Sequence, residues 1–539
     1  MKLYQYFFPF LSGFLLTLSF PNSEVDWLAW IALVPLILSL DKINGKRAFK
    51  FGFVMGLSHF LSLIYWIVPT ISTYGQLPLL LALPILILLS GYLALYPALF
   101  ALGLSYLKVN SKLMPLTAAA LWVSLEYIRS IFMSGFPWGL VGYSQYSHLE
   151  LIQIADITSV YGISFIVVLT NAVIARILAL KSKQNYKSEI AISIFSLFLI
   201  FGFLIGYGKF RITDIKNESD KGKILNISVV QGNIEQALKW EEAYQKSTIE
   251  KYCKLSIKTA QEFKLNFQNI GAKSDKLNLI IFPETALPFY YTWNKNLSNE
   301  INSCIKDVGT NFLIGSPAFK TIDKAAKIYQ FYNRAYMVNE LGVVTGSYDK
   351  VHLVPFGEYV PFSRYLSFLG KIIAQAGDFS AGKRDAPPLL FNLSSDSIKS
   401  NSVLSSSVGV LICFEVIFPY LARESVNNGA ELLVTMTNDA WFGYTSAPKQ
   451  HFAMAIFRAV ENRRAVARAA NTGISGFIDP TGKVLQTSNL FEDAALTEPL
   501  PAMTIQTFYS KFGDAFAFVC IFFVLLEMFI SMVSIKRAL

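Results

Sequence analysis

Hydrophobic positions along this chain follow two regimes. Near residues 4–20, 27–41, 52–69, 78–107, 115–132, 158–180, 190–207 and 513–534 they form long, nearly uninterrupted apolar runs. A helix needs ~20 consecutive apolar residues to cross a hydrocarbon core, so the pattern predicts eight spans: a multi-pass α-helical membrane bundle of seven over residues 1–207, and an eighth transmembrane helix over 513–534. The first run follows Lys2, but no small-x-small site precedes Pro21-Asn22, and it reads as a retained span rather than a cleaved signal.

Between about 223 and 497 the pattern changes to short β-branched runs alternating with helical periodicity. Strands are predicted at Leu225–Val230, Leu277–Phe282, Phe312–Gly315, Ala335–Val338, Val343–Tyr348, Val408–Cys413, Leu432–Thr437 and Gly476–Ile478. Ile249, Cys253, Ile257 and Ala260 recur at four- and three-residue steps, as do Phe452, Ile456 and Ala459, which predicts helices with one buried face. Such alternation predicts a layered α/β domain. The serine-rich stretch 392–407 reads as a surface loop.

Charge adds an orientation. Lys2, then Lys42, Lys46, Arg47 and Lys50, then Lys108 and Lys112, then Arg176, Lys181, Lys183 and Lys187, and finally Lys536 and Arg537 occupy alternate connections. The connections 21–26, 70–76 and 133–157 carry no Lys or Arg. Because cytoplasmic loops are enriched in these residues, both termini are expected in the cytoplasm and the α/β domain on the opposite side, the periplasm of a two-membrane bacterium. The net charge of +10 is spread over these short connections rather than gathered on one face, which argues against a nucleic-acid partner. Four cysteines without a CxxC, and four isolated histidines, among them His352 and His451, predict no metal site. Cys253 and Cys304 are a possible pair only if they lie close together on an oxidising side.

Three strand ends carry the candidate chemistry. One is the run Val408–Ile412 ending in Cys413-Phe414-Glu415, where strand alternation places Cys413 and Glu415 on one face. The others are Leu277–Phe282 ending in Pro283-Glu284, and Val343–Asp349 ending in Lys350. Cys413 alone reads more readily as a small core residue. Side chains at the carboxyl ends of strands converge in an α/β fold, however, and a carboxylate, an ammonium and a thiol make a nucleophile site. The uncharged aromatic loop Ser134–Tyr146, with Trp138, reads either as an interfacial belt or as an arm that contacts lipid. Trp240, Trp441 and Phe442 read either as core aromatics or as a substrate rim. Glu126 and Arg129 read as a pair on one helix face.

Together these segments resemble the Glu-Lys-Cys triad of the nitrilase (carbon-nitrogen hydrolase) superfamily. The strings Val230-Gln231-Gly232-Asn233-Ile234, Pro355-Phe356-Gly357-Glu358-Tyr359-Val360-Pro361 and Asn438-Asp439-Ala440-Trp441-Phe442-Gly443 resemble its membrane branch, the apolipoprotein N-acyltransferases, over nearly the whole chain. The resemblance implies a nitrilase-like α-β-β-α sandwich over 223–497, with Cys413 as nucleophile, Glu284 as general base and then acid, and Lys350 as oxyanion stabiliser. Glu358 and Glu415 would support them, and Trp240, Phe414, Trp441, Phe442 and Trp138 would meet substrate. It also implies a monomer that needs no cofactor, takes an acyl chain from a phospholipid such as phosphatidylethanolamine as a Cys thioester, and passes it to the α-amine of a diacylglyceryl-cysteine apolipoprotein. Phe414 stands where relatives carry Tyr. Two other readings stay open: a membrane-anchored amidase using the same triad, and a transporter or structural protein with an inert α/β domain.

Overall fold

A computed structural model describes residues 3–106, 111–180, 186–268, 277–323, 325, 327–360, 378–393 and 405–538. Lys2, Lys108, Lys181, Lys183, Pro361 and most of the serine-rich stretch lie outside the described residues, as do the side chains of Lys536 and Arg537. The chain forms two compact units. One is Met1–Pro69, Pro78–Thr213 and Thr507–Leu539, and the other is Thr70–Leu77 and Asp214–Gln506.

The first unit is helical. Among the described residues, four of its helices are long and apolar enough to cross a membrane: Leu79–Ser105, Met114–Ser134, Val160–Leu180 and Lys187–Lys221, the last continuing into the second unit. Gly45–Leu63 and Ile67–Tyr74 form a pair bent by 49° that counts as a fifth if taken together. The remaining apolar runs fold as the shorter helices Phe7–Leu18, Asp26–Ser39 and Ala515–Ile530. The 12 residues of Phe7–Leu18 reach only ~18 Å at 1.5 Å per residue, so among the described residues length and composition support four or five spans. Small residues let two of these helices touch: a Cβ on Gly52 would stand 2.2 Å from the Pro97 carbonyl, and one on Gly56 2.8 Å from the Ala94 Cα.

The aromatic loop is not an exposed arm. Trp138 is 1% exposed and packs against Trp66 and Phe136. Arg129 Nη1 donates to the carbonyls of Phe136 (3.1 Å) and Trp138 (2.7 Å), while Glu126 Oε1 accepts from the Val141 amide (2.7 Å). Glu126 and Arg129 thus hold the loop's own backbone polar groups in place, as burial away from water requires.

Among the described residues the second unit has twelve strands: β1 Lys223–Gln231, β2 Leu279–Ile281, β3 Asn311–Asp323, β4 Ile328–Val338, β5 Val344–Asp349, β6 Leu389–Asn392, β7 Ser405–Ile412, β8 Leu432–Thr437, β9 Val466–Ala470, β10 Gly476–Ile478, β11 Val484–Thr487 and β12 Ala494–Ala502. They form two six-stranded sheets, ordered β12-β1-β2-β3-β4-β5 and β11-β10-β9-β8-β7-β6. Each has a parallel centre, β1-β2-β3 in one and β7-β8-β9 in the other. One apolar core, with Ile227, Leu279 and Leu313 from the first sheet and Val410, Val434 and Ala467 from the second, fills the space between them. The outer face of the first sheet buries Ile280, Phe282 and Phe312 against helices α1 (Glu242–Gln268) and α2 (Lys295–Val308). Helices α3 (Pro419–Asn427) and α4 (Ala447–Asn462) pack on the second sheet. The layers are therefore α-β-β-α. Cys253 and Cys304, on α1 and α2, are free thiols in hydrogen-bonding contact.

All eight expected strands are present, and β6, β9, β11 and β12 are additional. β12 carries Pro499 and Pro501, which suit it to an edge, where it pairs only with β1. In the second sheet, β9 is mostly alanine and lacks the β-branched signature.

Gly315 on β3 is fixed by close approach: a Cβ there would meet the Pro283 carbonyl at 2.3 Å and the Thr285 nitrogen at 2.6 Å. Backbone cannot yield as a side chain can. Gly315→Ala should therefore lower the stability of the purified protein by about 1–3 kcal/mol, read as a drop in thermal midpoint.

Candidate active site

The nucleophile candidate sits on a strained turn. All but the first residue of β7 are buried, the strand stops at Ile412, and Cys413 takes φ +52° at the start of a short 3-10 turn, Cys413–Ile417. A non-glycine residue in this region costs about 1–3 kcal/mol, and the surroundings must hold it there. The turn also overturns the expectation that Cys413 and Glu415 share a strand face, because strand alternation has ended. Glu415 instead folds back, fully buried. Its carboxylate accepts from the amides of Ile412 (2.6 Å), Val351 (2.6 Å) and His352 (3.0 Å) and from the Tyr348 hydroxyl (3.0 Å). It ties the end of β7 to the segment after Lys350. Burial pushes its carboxyl up to about 7, against the pull of these donors and of Lys350.

Lys350 follows β5 and is 1% exposed. Its Nζ donates to Glu284 Oε1 (3.2 Å) and Glu358 Oε1 (2.9 Å). Burial opposes the charged ammonium, but the two carboxylates outweigh it and hold Lys350 above its ordinary range. Asn333 Nδ2, on β4, bridges the same pair, donating to Glu284 Oε1 (2.7 Å) and Glu358 Oε1 (3.2 Å). Glu358 Oε2 accepts from the Val354 amide (2.8 Å), and Glu284 Oε2 from the Asn438 amide (3.0 Å) just past β8. Glu284 thus carries donors from both sheets.

The Cys413 thiol is pushed well up by burial and then by the charge of Glu284, while Lys350 pulls it back. Glu284 and Lys350 therefore act on the thiol with opposite sign. Such a thiol does not hold a free thiolate at neutral pH, so its proton must leave as the bond to carbon forms. A carboxylate that takes this proton beside an ammonium that faces the developing oxyanion meets the requirement.

Several residues of the site escaped the sequence reading. Lys239, fully buried, donates to Thr285 Oγ1 (2.8 Å) and the Glu284 carbonyl (3.2 Å), holding the turn in which Thr285 takes φ +45°. Burial lowers it to about 8, and Glu284 and Cys413 pull it back up. His451, read as isolated, lies against the Cys413 carbonyl. Asn333 gave no signal beyond its place on a strand.

The aromatic candidates divide. Phe414 is half-buried and meets Phe418 edge-on at 5.3 Å, with His352 stacked on Phe418. Trp441 and Phe442 are half-buried directly after β8; Trp441 meets Tyr74 and Phe442 meets His451, and the Tyr74 hydroxyl donates to the Ala440 carbonyl (2.6 Å). Trp240 is 37% exposed on the loop after Lys239. Trp138 is buried in the helical unit.

Comparison with known proteins gives consistent matches. Residues 12–173 match the family model of the apolipoprotein N-acyltransferase N-terminal domain, and residues 226–508 that of carbon-nitrogen hydrolases. The chain is 39% identical to an apolipoprotein N-acyltransferase of Geobacter metallireducens, over 96% of this chain and 93% of that relative. It is 30% identical to one of Pasteurella multocida, over 95% and 92%. A solved amidase of the nitrilase superfamily from Nesterenkonia AN1 is 19% identical with a TM-score of 0.37, covering 54% of this chain and 94% of that one.

The opposed charges make a signed prediction. Alkylation of Cys413 by iodoacetamide, followed by peptide mass spectrometry, should still accelerate above pH 9 in the wild type. Glu284→Gln removes the negative charge that raises the thiol, so its alkylation profile should move to lower pH; Lys350→Met should move it to higher pH. Shifts in the other direction would show that these groups do not face the thiol.

Proposed function

The chain belongs to the apolipoprotein N-acyltransferase family of the carbon-nitrogen hydrolase superfamily, and from this we propose that it moves an acyl chain from a phospholipid to a lipoprotein α-amine through a thioester on Cys413. The observation that carries the reading is the buried Glu284–Lys350–Glu358 network acting electrostatically on a thiol at a strained strand exit.

Glu284 takes the proton of Sγ as the sulfur attacks the ester carbonyl carbon of the phospholipid. The oxyanion of the tetrahedral intermediate is stabilised by Lys350, whose charge Glu358 and Asn333 keep in place. Collapse breaks the ester C–O bond, Glu284 returns the proton to the departing alcohol, and a lysophospholipid leaves. The α-amine of a diacylglyceryl-cysteine apolipoprotein then attacks the thioester, Glu284 accepting its proton. Collapse of the second intermediate breaks the C–S bond, the proton goes back to sulfur, and the amide remains. Phosphatidylethanolamine is the donor proposed, the enzyme acts as a monomer, and Trp240, Phe414, Trp441, Phe442 and Trp138 are the proposed substrate contacts.

The apolar helices support a membrane acyltransferase over an amidase, because both proposed substrates are lipid-anchored. We read the bundle as eight spans, seven over 1–207 and one over 513–534 with the catalytic domain over 223–497, both termini in the cytoplasm and the catalytic domain in the periplasm. The alternating Lys and Arg connections support this orientation. A reporter fused after Lys223 should then be active only outside the cytoplasm, and one fused after Leu539 only inside; the reverse would refute the orientation.

Incubation with phosphatidylethanolamine should add one acyl mass that hydroxylamine removes and that is absent from Cys413→Ala. In single-turnover acylation, Glu284→Gln should be slower by roughly 10²- to 10⁴-fold and Lys350→Met by roughly 10²- to 10³-fold. Release of free fatty acid without acyl transfer to an apolipoprotein would favour the amidase.

A further inference from the structure

A second buried cluster lies on the backbone side of Cys413. His451 on α4, Arg468 on β9 and Asp439 just past β8 are each at most 1% exposed. Arg468 Nη2 donates to Asp439 Oδ2 (2.8 Å) and stands 3.0 Å from His451 Nδ1. The Thr437 hydroxyl donates to Asp439 Oδ1 (2.8 Å) and also contacts the Cys413 thiol. His451 Nδ1 is 3.1 Å from Asp439 Oδ1, and Nε2 is 3.2 Å from the Cys413 carbonyl oxygen.

The contact with Cys413 fixes the proton on Nε2, because a carbonyl only accepts. Nδ1 lies between the Arg468 guanidinium, which only donates, and the Asp439 carboxylate, which only accepts, so both engage that side of the ring. Burial and the Arg468 charge hold His451 below its ordinary range, which favours the neutral ring. Asp439 is ionised: burial opposes this, but Arg468 and His451 outweigh it and hold its carboxyl well below the usual range. The Asp439–Arg468 pair thus engages Nδ1 and leaves Nε2–H to the Cys413 carbonyl.

We propose that His451, its Nδ1 side held by Arg468 and Asp439 and its Nε2–H directed at Cys413, is the positioning residue of the nucleophile: it grips the Cys413 carbonyl and keeps that residue at φ +52°, its thiol toward Glu284 and Lys350. Glu415 holds the preceding amide, that of Ile412, so the strained residue is gripped from both sides. His451 itself touches no reacting atom. The inference rests on the reading of Cys413 as nucleophile.

The test uses the full-length detergent-solubilised protein with two readouts: iodoacetamide alkylation of Cys413 followed by peptide mass spectrometry, and single-turnover acylation from phosphatidylethanolamine in mixed micelles. His451→Leu, which cannot donate, should slow both by about tenfold or more, the loss expected for one buried hydrogen bond, with the dependence on lipid concentration unchanged. His451→Gln places an amide nitrogen where Nε2 stood and should stay within about threefold of wild type on the same scale. His451→Asn falls a bond short and should behave like Leu. If His451→Leu does not fold, the Gln and Asn variants decide alone. Wild-type rates in His451→Asn or His451→Leu, or a Gln variant as slow as Asn, overturn the proposal. A wild type that alkylates at Cys413 but never takes an acyl chain would refute the acyltransferase reading, while the alkylation series still decides the role of His451.

Discussion

An ammonium buried at 1% exposure between two carboxylates is the constraint on which the α/β unit depends. Taking such a charge out of water costs several kcal/mol, repaid only if partners surround it in good geometry. Lys350 comes from the end of β5, Asn333 from β4, Glu284 from the turn after β2, and the amide that completes Glu284 from the start of the segment after β8. Two sheets must therefore meet at one set of strand ends. Glu358 is as necessary as Glu284 in this arrangement: with two carboxylates on it, Lys350 keeps a counter-ion even when one of them is neutral.

The second constraint is strain. Cys413 at φ +52° and Thr285, next to Glu284, at φ +45° put the candidate thiol and carboxylate on turns that an L-residue adopts at a cost. Each turn is gripped by fully buried polar groups, Lys239 and its hydrogen bonds at one, Glu415 and His451 at the other. Positioning by buried hydrogen bonds is stiff, because an unmet polar group in a dry site costs about 1–3 kcal/mol. A thiol whose proton leaves only during attack needs that stiffness, since its distance to the base must be right at the moment of reaction.

The strand ends were legible in the sequence because buried central strands are short apolar runs, and a Cys, Glu or Lys at the end of one stands out. Glu284, Lys350 and Glu358 indeed form one network. Residues that act through the backbone gave no comparable sign. Lys239 sits at no strand end, and only the fold reveals that its ammonium caps a turn. His451 looks isolated along the chain because Asp439 and Arg468 lie 12 and 17 residues away on other elements. Glu415 was found for the wrong reason: alternation placed it beside the thiol, whereas the turn at Cys413 sends it to the amides behind. The apolar runs were legible as helices, but their breaks were not, as at the 49° bend between Leu63 and Ile67 within one expected span.

Connectivity links the catalytic unit to the apolar helices. The helix Lys187–Lys221 is followed after a single residue by β1, and β12 ends five residues before the helix Phe508–Phe512. β1 and β12 pair along their whole length, with Lys223 opposite Ala502, so the two connections to apolar helices leave the sheet side by side. An insertion whose ends are adjacent leaves the chain on either side free to pack as though it were continuous. The same β1 contributes Ile227 and Val229 to the core between the sheets and pairs with β2, which leads to Glu284. Only β2 and its turn therefore separate β1 from Glu284 along the sheet.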